Sequence, residues 1–232
     1  MEKIHSEANW ENAYKSGKHV NTWPWSAVVS YVHRYLLSSV LHPEHRTLSV
    51  LEIGCGAGGN IPLFSQIDAD YSGIDLSATA VDICRAKFPR YRNNIWNESF
   101  ADRSWEIEKY DLVLDRASVT HGDSYSVQVA VKGILSALKK GGLYIGIDWF
   151  SKKHVNFQST DSTYVDRNTR RDFQYGPFTG LGMVHFVDEF DLVELFKNFE
   201  ILEMNENSIN RIFPTREERS IVTLNVVARK SL

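Results

Sequence analysis

The sequence has few cysteines and no long apolar run. Its two cysteines, Cys55 and Cys84, have no spacing that suits a metal site, and we interpret them as unpaired thiols of a reducing compartment. Apolar runs such as LYIGI at 143–147 are far shorter than the roughly 20 residues that cross a bilayer. The opening letters MEKIHSEANW contain no apolar signal core, so we expect a cytoplasmic protein without a membrane partner.

The chain also lacks a marked excess of either charge. Its 232 residues carry a formal net charge of −3, and no basic stripe dominates, which disfavours a nucleic-acid partner. Hydrophobic residues make up 43% of the chain, enough for an ordinary core. The length suits one α/β domain with additions.

Alternating strand and helix patterns begin at residue 48. Before them, TWPW at 22–25 places Pro24 at the start of an amphipathic helix that His42-Pro43 ends, and we predict that residues 1–47 form an N-terminal helical cap. The alternation predicts a doubly wound, Rossmann-like α/β sheet of about seven strands in 48–232, mostly parallel with an antiparallel last strand and helices on both faces. Predicted strands lie at 48–54, 71–76, 93–99, 109–116, 143–149, 200–206 and 220–230, and helices at 59–67, 78–87, 122–140 and 189–198.

A glycine-rich stretch, VLEIGCGAGGN at 50–60, joins the first predicted strand to a helix. Its glycines satisfy both G-x-G-x-x-G and G-x-G-x-G, and such a turn lets backbone N–H groups approach a ligand closely. Asp75 ends the next strand, 21 residues beyond Gly54, where an acid accepts hydrogen bonds from ribose hydroxyls. These features fit NAD and S-adenosylmethionine equally.

Glu52, two residues before Gly54, distinguishes between these two possible cofactors. A carboxylate at this position repels a pyrophosphate and suits a cationic amino acid ligand. At these residues the sequence resembles the class I S-adenosylmethionine-dependent methyltransferases, whose first motif, E/D-x-G-x-G-x-G, is matched by Glu52, Gly54, Gly56 and Gly58. The resemblance covers roughly 48–150 and 186–230, and its further motifs are YSGIDLS, YDLVLDRASVTH, LKKGGLYIGI and VDEFDLVELFKNFEILEM.

The resemblance implies S-adenosylmethionine as cofactor, with S-adenosylhomocysteine as product. By it, Glu52 helps to hold the amino group of the methionine part, Asp75 binds the ribose and Leu76 packs on the adenine. The acid that usually contacts the adenine amino group is replaced by Ser99-Phe100, which leaves Ser99 and the later Asp102 as alternatives. The full set of expected cofactor residues is Glu52, Gly54, Cys55, Gly56, Gly58, Asn60, Asp75, Leu76, Ser99, Phe100, Asp102, Asp115, Arg116 and Trp23.

Methyl transfer is an in-line displacement that needs positioning, and a base where the nucleophile carries a proton. Candidates for catalysis follow the fourth and fifth strands or precede the late helix: His121, Asp115, Asp148 and His185. Asp115 and Asp148 also suggest a metal pair, but Trp149 stands where the metal-dependent members have asparagine, and we expect no metal. We interpret H-P-E-H at 42–45 as a solvated helix end.

A long insertion after the fifth strand, residues 150–187, is rich in aromatic and arginine residues. A segment of this kind inside a domain is typical of a substrate lid. We expect a methyltransferase acting on an oxygen or nitrogen of a small-molecule acceptor. The alternatives are a protein or RNA methyltransferase and, from another class, a non-catalytic nucleoside-binding module or an NAD-dependent enzyme. DRASVT at 115–120 departs from the N/D-P-P-Y/F of base methylators, which disfavours DNA.

Overall fold

A computed structural model describes residues 2–37, 47–210 and 220–232. The N-terminal part forms helix α1 (Glu2–Lys15) and helix α2 (Ser26–Tyr31), which continues as a π-helical segment over Val32–Leu37. The predicted end of this helix at 42–43 lies outside the described residues. No helix in the described part of the chain is long and apolar enough to span a membrane.

Ten strands follow, and seven of them form the predicted sheet. The strands are β1 (Ser49–Ile53), β2 (Asp70–Asp75), β3 (Ile95–Asn97), β4 (Tyr110–Arg116), β5 (Leu138–Phe150), β6 (Thr163–Tyr164), β7 (Thr169–Arg171), β8 (Val184–His185), β9 (Glu200–Asn210) and β10 (Ser220–Arg229). The large sheet has the order β3-β2-β1-β4-β5-β10-β9. Strands β1 to β5 pair in parallel, and β10 is antiparallel to both β5 and β9. The predicted mostly parallel sheet with an antiparallel last strand is confirmed.

The remaining helices connect these strands. They are α3 (Ile61–Gln66), α4 (Ala78–Lys87), α5 (Ser124–Ala137), α6 (Val155–Gln158) and α7 (Glu189–Leu195), with 3₁₀ turns at Pro89–Asn94 and Val119–His121. Side chains cap four of the described helices: Ser77 accepts from Ala80 N, Asp123 from Ser126 N, His154 from Asn156 N and Asp188 from Asp191 N. Each such contact satisfies an N–H group at a helix start.

Helix α5 ends three residues earlier than the predicted boundary at 140. The carbonyl groups of Ser136 and Ala137 accept from Glu108 N and Lys109 N, both at 2.9 Å. Leu138 then pairs with Tyr110 in the sheet. The predicted boundary is therefore wrong, because pairing with β4 replaces the last helical turn.

Apolar side chains of the strands point alternately to the two faces of the sheet. Leu51 and Ile53 pack in one core cluster with α5 and α7, whereas Val50 packs in another with α2, α3 and α4. Helices therefore cover both faces, as predicted. The chain order reverses between β1 and β4, and ligands in such sheets bind at the carboxyl ends of the strands beside that reversal.

The insertion between β5 and α7 folds on its own aromatic core. Strands β6, β7 and β8 form a small antiparallel sheet. Phe173, Phe178, Val184 and Phe186 are buried together, and Phe150 of β5 packs against them. The aromatic residues of the insertion thus pack mainly on one another.

Candidate active site

A cavity of about 340 Å³ lies at the carboxyl ends of the central strands. Its floor is the glycine loop after β1. Its roof consists of α1 and the residues after it, represented by Trp10 and His19, together with Phe178 and Leu181 of the insertion. The cavity therefore lies between the sheet and two segments that lie outside the alternating strand–helix pattern.

The glycine loop approaches its neighbours too closely for side chains at two positions. Gly54 and Gly56 have φ angles of +69° and +55°, a region that glycine adopts most easily. A Cβ on Gly54 would lie 1.9 Å from Ser118 Oγ, and one on Gly56 would lie 2.3 Å from the hydroxyl of Tyr14. The bare backbone of the loop therefore faces the cavity, and Tyr14 of α1 lies directly over it.

Glu52 lies buried at the end of β1 and lines the cavity. Its carboxylate accepts from Asn60 Nδ2 at 2.7 Å and from the Tyr71 hydroxyl at 2.5 Å. Burial raises the pKa of Glu52 to about 7, and the two donors oppose that rise. Asn60 Oδ1 also accepts from Trp25 N, which links the carboxylate to the segment before α2.

Asp75 ends β2 on the opposite side of the glycine loop. Its Oδ2 accepts from Gly56 N at 2.8 Å and its Oδ1 from Ser77 N at 2.9 Å. Burial raises the pKa of this carboxyl to about 6. Each carboxylate oxygen has further acceptor capacity, and Asp75 and Leu76 line the cavity, so hydroxyl groups of a ligand can bond here.

A second cavity, of about 730 Å³, adjoins the first along the ends of β2 and β3. Leu76, Ser99, Phe100 and His121 line both cavities. Asp102 lines only the second. Of the two alternatives for the end of β3, Ser99 thus lines the cavity at the glycine loop, and Asp102 lines only its neighbour.

Asp115 is fully buried at the end of β4 and does not line either cavity. It accepts from Ser118 N at 2.9 Å, from Val119 N at 3.1 Å and from the Tyr144 hydroxyl at 3.1 Å. Burial raises its pKa to about 6. Its side chain therefore holds the turn that brings Ser118 to the glycine loop.

Arg116, the next residue, lines the cavity. Its guanidinium carbon lies 3.8 Å from the centroid of the Trp25 ring, and its Nε donates to Asp148 Oδ2 at 2.9 Å. Asp148 itself lies outside the cavity-lining set. Trp25 lines the cavity, whereas Trp23 is 76% exposed and does not line it.

His121 lines both cavities. Its Nδ1 lies 2.9 Å from the carbonyl oxygen of Met183. Because a carbonyl only accepts, Nδ1 carries the proton and Nε2 carries the lone pair. Burial lowers the pKa of His121 to about 4, so the ring is neutral at physiological pH. Its ring packs edge-on against Trp10, with centroids 4.8 Å apart.

The other histidine candidate, His185, lies inside the insertion, as does His154. His185 Nδ1 is 3.0 Å from Thr169 Oγ1 in the small sheet, and His154 Nδ1 accepts from Asn156 N. Burial lowers the pKa of each to about 4. Neither lines the two cavities.

No group of three or more His, Cys, Asp or Glu side chains within the described ranges is arranged to hold a metal ion. His42 and His45 lie outside those ranges. Asp115 and Asp148 face different partners, the turn after β4 and Arg116 respectively. Cys55 and Cys84 are both buried and free, and Cys55 lines the cavity.

Sequence reasoning missed several residues that build the site. Glu11 of α1 accepts from Ser77 Oγ at 2.7 Å, Thr79 N at 3.1 Å and Thr79 Oγ1 at 2.6 Å. These bonds lower its pKa to about 2 and tie α1 to the start of α4. In the sequence, Glu11 follows Trp10 and precedes Tyr14 by three residues. This helical spacing was the available indication that Glu11 and Tyr14 lie close together on α1. His19, Asn21, Tyr71 and Ser118 were missed as well.

The residues of the cavity fit S-adenosylmethionine. The carboxylates of Glu52 and Asp75 lie on either side of a bare glycine backbone, and no cation lines the floor to neutralise a pyrophosphate. A cationic amino acid group beside Glu52 and ribose hydroxyls beside Asp75 match this donor and acceptor set.

Comparisons with known proteins agree with this fit. Residues 50–142 match the family model described as a methyltransferase domain. No curated protein matches the sequence. Among solved structures, a S-adenosylmethionine-dependent methyltransferase from Methanosarcina mazei is 19% identical with a TM-score of 0.65, covering 85% of this chain and 98% of that one.

Two further structures have the same fold. The 1,6-didemethyltoxoflavin-N1-methyltransferase of Burkholderia thailandensis, which contains 1,6-didemethyltoxoflavin and S-adenosylhomocysteine, is 14% identical with a TM-score of 0.68, covering 99% of this chain and 89% of that one. A S-adenosylmethionine-dependent methyltransferase from Clostridium acetobutylicum is 14% identical with a TM-score of 0.59, covering 97% and 98%.

Proposed function

We propose that this chain, whose residues 50–142 match a methyltransferase domain, is a class I S-adenosylmethionine-dependent methyltransferase that methylates an oxygen or nitrogen of a small-molecule acceptor. One observation carries the proposal: residues of α1 and of the insertion line the cavity together with the glycine loop. A concave cavity that several parts of the chain line suits a small ligand, whereas a protein or RNA acceptor needs a wide approach to the reacting atom.

In this proposal the floor of the cavity holds the cofactor. The glycine loop at Gly54, Cys55 and Gly56 lies beside the methionine part, and Glu52 attracts its ammonium group. Asp75 accepts from the ribose hydroxyls, while Leu76 and Phe100 enclose the adenine and Ser99 bonds its edge. The bound cofactor supplies a methyl carbon on a sulfonium, and the bonding electrons pass to sulfur as the acceptor lone pair forms the new bond.

The remaining candidates take different tasks. Proton removal is assigned to His121, since it alone among His121, Asp115, Asp148 and His185 lines the cavity. Asp115 shapes the turn after β4, and Asp148 positions Arg116. A cytoplasmic location belongs to the same proposal and is supported by the two free, buried cysteines.

The proposal is tested by incubating the protein with S-adenosylmethionine labelled in its methyl group and fractionated cell extract. We expect label in a fraction of low molecular mass, identified by mass spectrometry, and none in the protein or RNA fractions. Label confined to protein or RNA would refute the small-molecule assignment. In parallel, calorimetry should detect binding of S-adenosylhomocysteine and not of NAD.

A further inference from the structure

Four rings form a continuous aromatic wall on one side of the cavity: Trp10, His121, Phe150 and Phe178. Their successive centroid distances are 4.8, 5.7 and 4.7 Å, with interplanar angles of 81°, 76° and 70°. Each ring thus meets the next edge to face. The wall presents ring faces and ring edges in alternation, and a flat aromatic ring packs favourably against both.

This wall comes from four separate parts of the chain. Trp10 belongs to α1, His121 to the turn after β4, Phe150 to the end of β5 and Phe178 to the insertion. The cofactor carboxylates Glu52 and Asp75 belong to the opposite, floor side at the ends of β1 and β2. The aromatic wall is therefore the surface that remains for the acceptor.

The charges around the cavity determine which aromatic molecules it suits. Arg116 is the only permanent cation among the described residues that line it. Its Nε and Nη2 both contact Asp148 at 2.9 Å, which turns the other edge of the guanidinium away from that carboxylate. His121 and His19 are kept uncharged by burial, which lowers the pKa of each. Three carboxyl groups, those of Glu52, Asp75 and Glu98, also line the cavity, at the ends of β1, β2 and β3 where the cofactor is proposed to bind. An aromatic wall alone also suits quaternary ammonium groups, but Arg116, at the end of β4 just before the turn that carries His121, would repel a cationic acceptor on that side.

The base limits the group that is methylated. His121 Nε2 carries the lone pair, since Nδ1–H donates to Met183. With a pKa of about 4, this nitrogen is a weak base, which cannot remove a proton from an aliphatic alcohol efficiently. A phenolic O–H or an acidic ring N–H is closer to His121 in pKa and is therefore the better match, and its proton passes to Nε2 as the bond to the methyl carbon forms.

We infer that the acceptor is a planar aromatic or heteroaromatic molecule, neutral or anionic, that is methylated at an acidic O–H or ring N–H while resting on the wall formed by Trp10, His121, Phe150 and Phe178. The inference rests on the proposed function, and it specifies the chemical class of the acceptor. In the transfer, the acceptor oxygen or nitrogen gains the methyl group and loses one proton.

The test uses calorimetry on the full chain saturated with S-adenosylhomocysteine. Three probes of matched size differ in one property each: 4-hydroxybenzoate is planar and anionic, trans-4-hydroxycyclohexanecarboxylate is anionic and not planar, and (4-hydroxyphenyl)trimethylammonium is planar and cationic. We expect 4-hydroxybenzoate to bind at least tenfold more tightly than each of the other two. Equal binding of the saturated or the cationic probe, or no binding of any probe, would overturn the inference.

Two variants connect the selectivity to the residues. Phe178→Leu should reduce the preference for the planar over the saturated probe at least threefold, with the affinity for S-adenosylhomocysteine changed less than twofold. Arg116→Gln should reduce the preference for the anionic over the cationic probe. If S-adenosylhomocysteine itself fails to bind, the proposed function is refuted. If it binds but the three probes do not show the expected ranking of affinities, only the inferred class of acceptor is refuted.

Discussion

The guanidinium of Arg116 lies over the ring of Trp25, with its central carbon 3.8 Å from the ring centroid, and its Nε donates a hydrogen bond to Asp148 Oδ2. Three parts of the chain meet in this contact: the segment before α2, the end of β4 and the end of β5. The backbone of Asp148 has a φ of +60°, a conformation that costs most residues energy and that Asp and Asn tolerate best. Asp148 thus combines an unfavourable backbone conformation with an ion pair to Arg116.

Asp148→Asn tests this arrangement, because asparagine tolerates the same backbone and lacks the charge. We expect the affinity for S-adenosylhomocysteine to fall about threefold to fivefold, since a partly exposed ion pair contributes up to about 1 kcal/mol. Calorimetry measures the affinity. Asp68→Asn is the matched control: Asp68 also has a positive φ, of +54°, and pairs with Arg90 far from the cavity. Equal affinities of the two variants for S-adenosylhomocysteine would contradict a role of Asp148 in the binding site.

Asp75 is the proposed acceptor for the ribose hydroxyls. Asp75→Ala removes those bonds together with the contacts to Gly56 N and Ser77 N, and a hydrogen bond to a charged group is worth about 1.5–3 kcal/mol. We expect at least a 100-fold loss of affinity for S-adenosylhomocysteine by calorimetry. Asp70→Ala, at the exposed start of the same strand, should bind normally. A loss below threefold in Asp75→Ala would remove the ribose assignment.

The fold was predictable because local patterns carry most of it. The apolar pattern of a strand is formed by residues within a few positions of one another. The same holds for the helix caps at Ser77 and Asp188. The glycine loop was recognisable for the same reason, since Glu52 lies within the motif and Asp75 ends the next strand.

The orientation of individual side chains was less predictable, because distant partners determine it. Asp115 is turned away from the cavity by bonds to the following turn and to Tyr144, 29 residues later. His121 and His185 looked alike in the sequence, yet only His121 lines the cavity. Glu11 joins α4 across 66 and 68 positions, a pairing that no local pattern encodes.

Burial of Glu52 makes the stability of the protein depend on pH. Its pKa is raised from 4.5 to about 7, so its contribution to the free energy of unfolding is complete below pH 4.5 and is lost as pH rises through 7. Relative to Glu52→Gln, the wild-type protein should lose up to about 3 kcal/mol of stability between pH 5 and pH 8. Urea unfolding of both proteins across this range measures the difference. A difference independent of pH would contradict the raised pKa.

Glu11 holds α1 over the site through three hydrogen bonds at the start of α4. Glu11→Gln removes the charge that favours a helix N-terminus and weakens these bonds. We expect amide hydrogen exchange in residues 2–15 to become about tenfold faster, as measured by mass spectrometry, while exchange in β1 and β4 is unchanged. Glu7→Gln, which changes an exposed residue one turn earlier in α1, is the control. Unchanged exchange in Glu11→Gln would show that other contacts hold the helix.

His121 has two tasks that substitutions can separate. Its Nδ1–H holds the insertion through Met183 O, and its Nε2 is the proposed base. Asparagine at this position retains an N–H donor near Nδ1 and lacks the second nitrogen, whereas alanine lacks both. We expect His121→Asn to lower the rate of methyl transfer about 100-fold with normal affinity for S-adenosylhomocysteine and normal hydrogen exchange in 169–186. His121→Ala should show the same loss of rate and faster exchange in 169–186, because the insertion is then released. Full activity of His121→Asn would assign proton removal to solvent and leave His121 as a positioning residue.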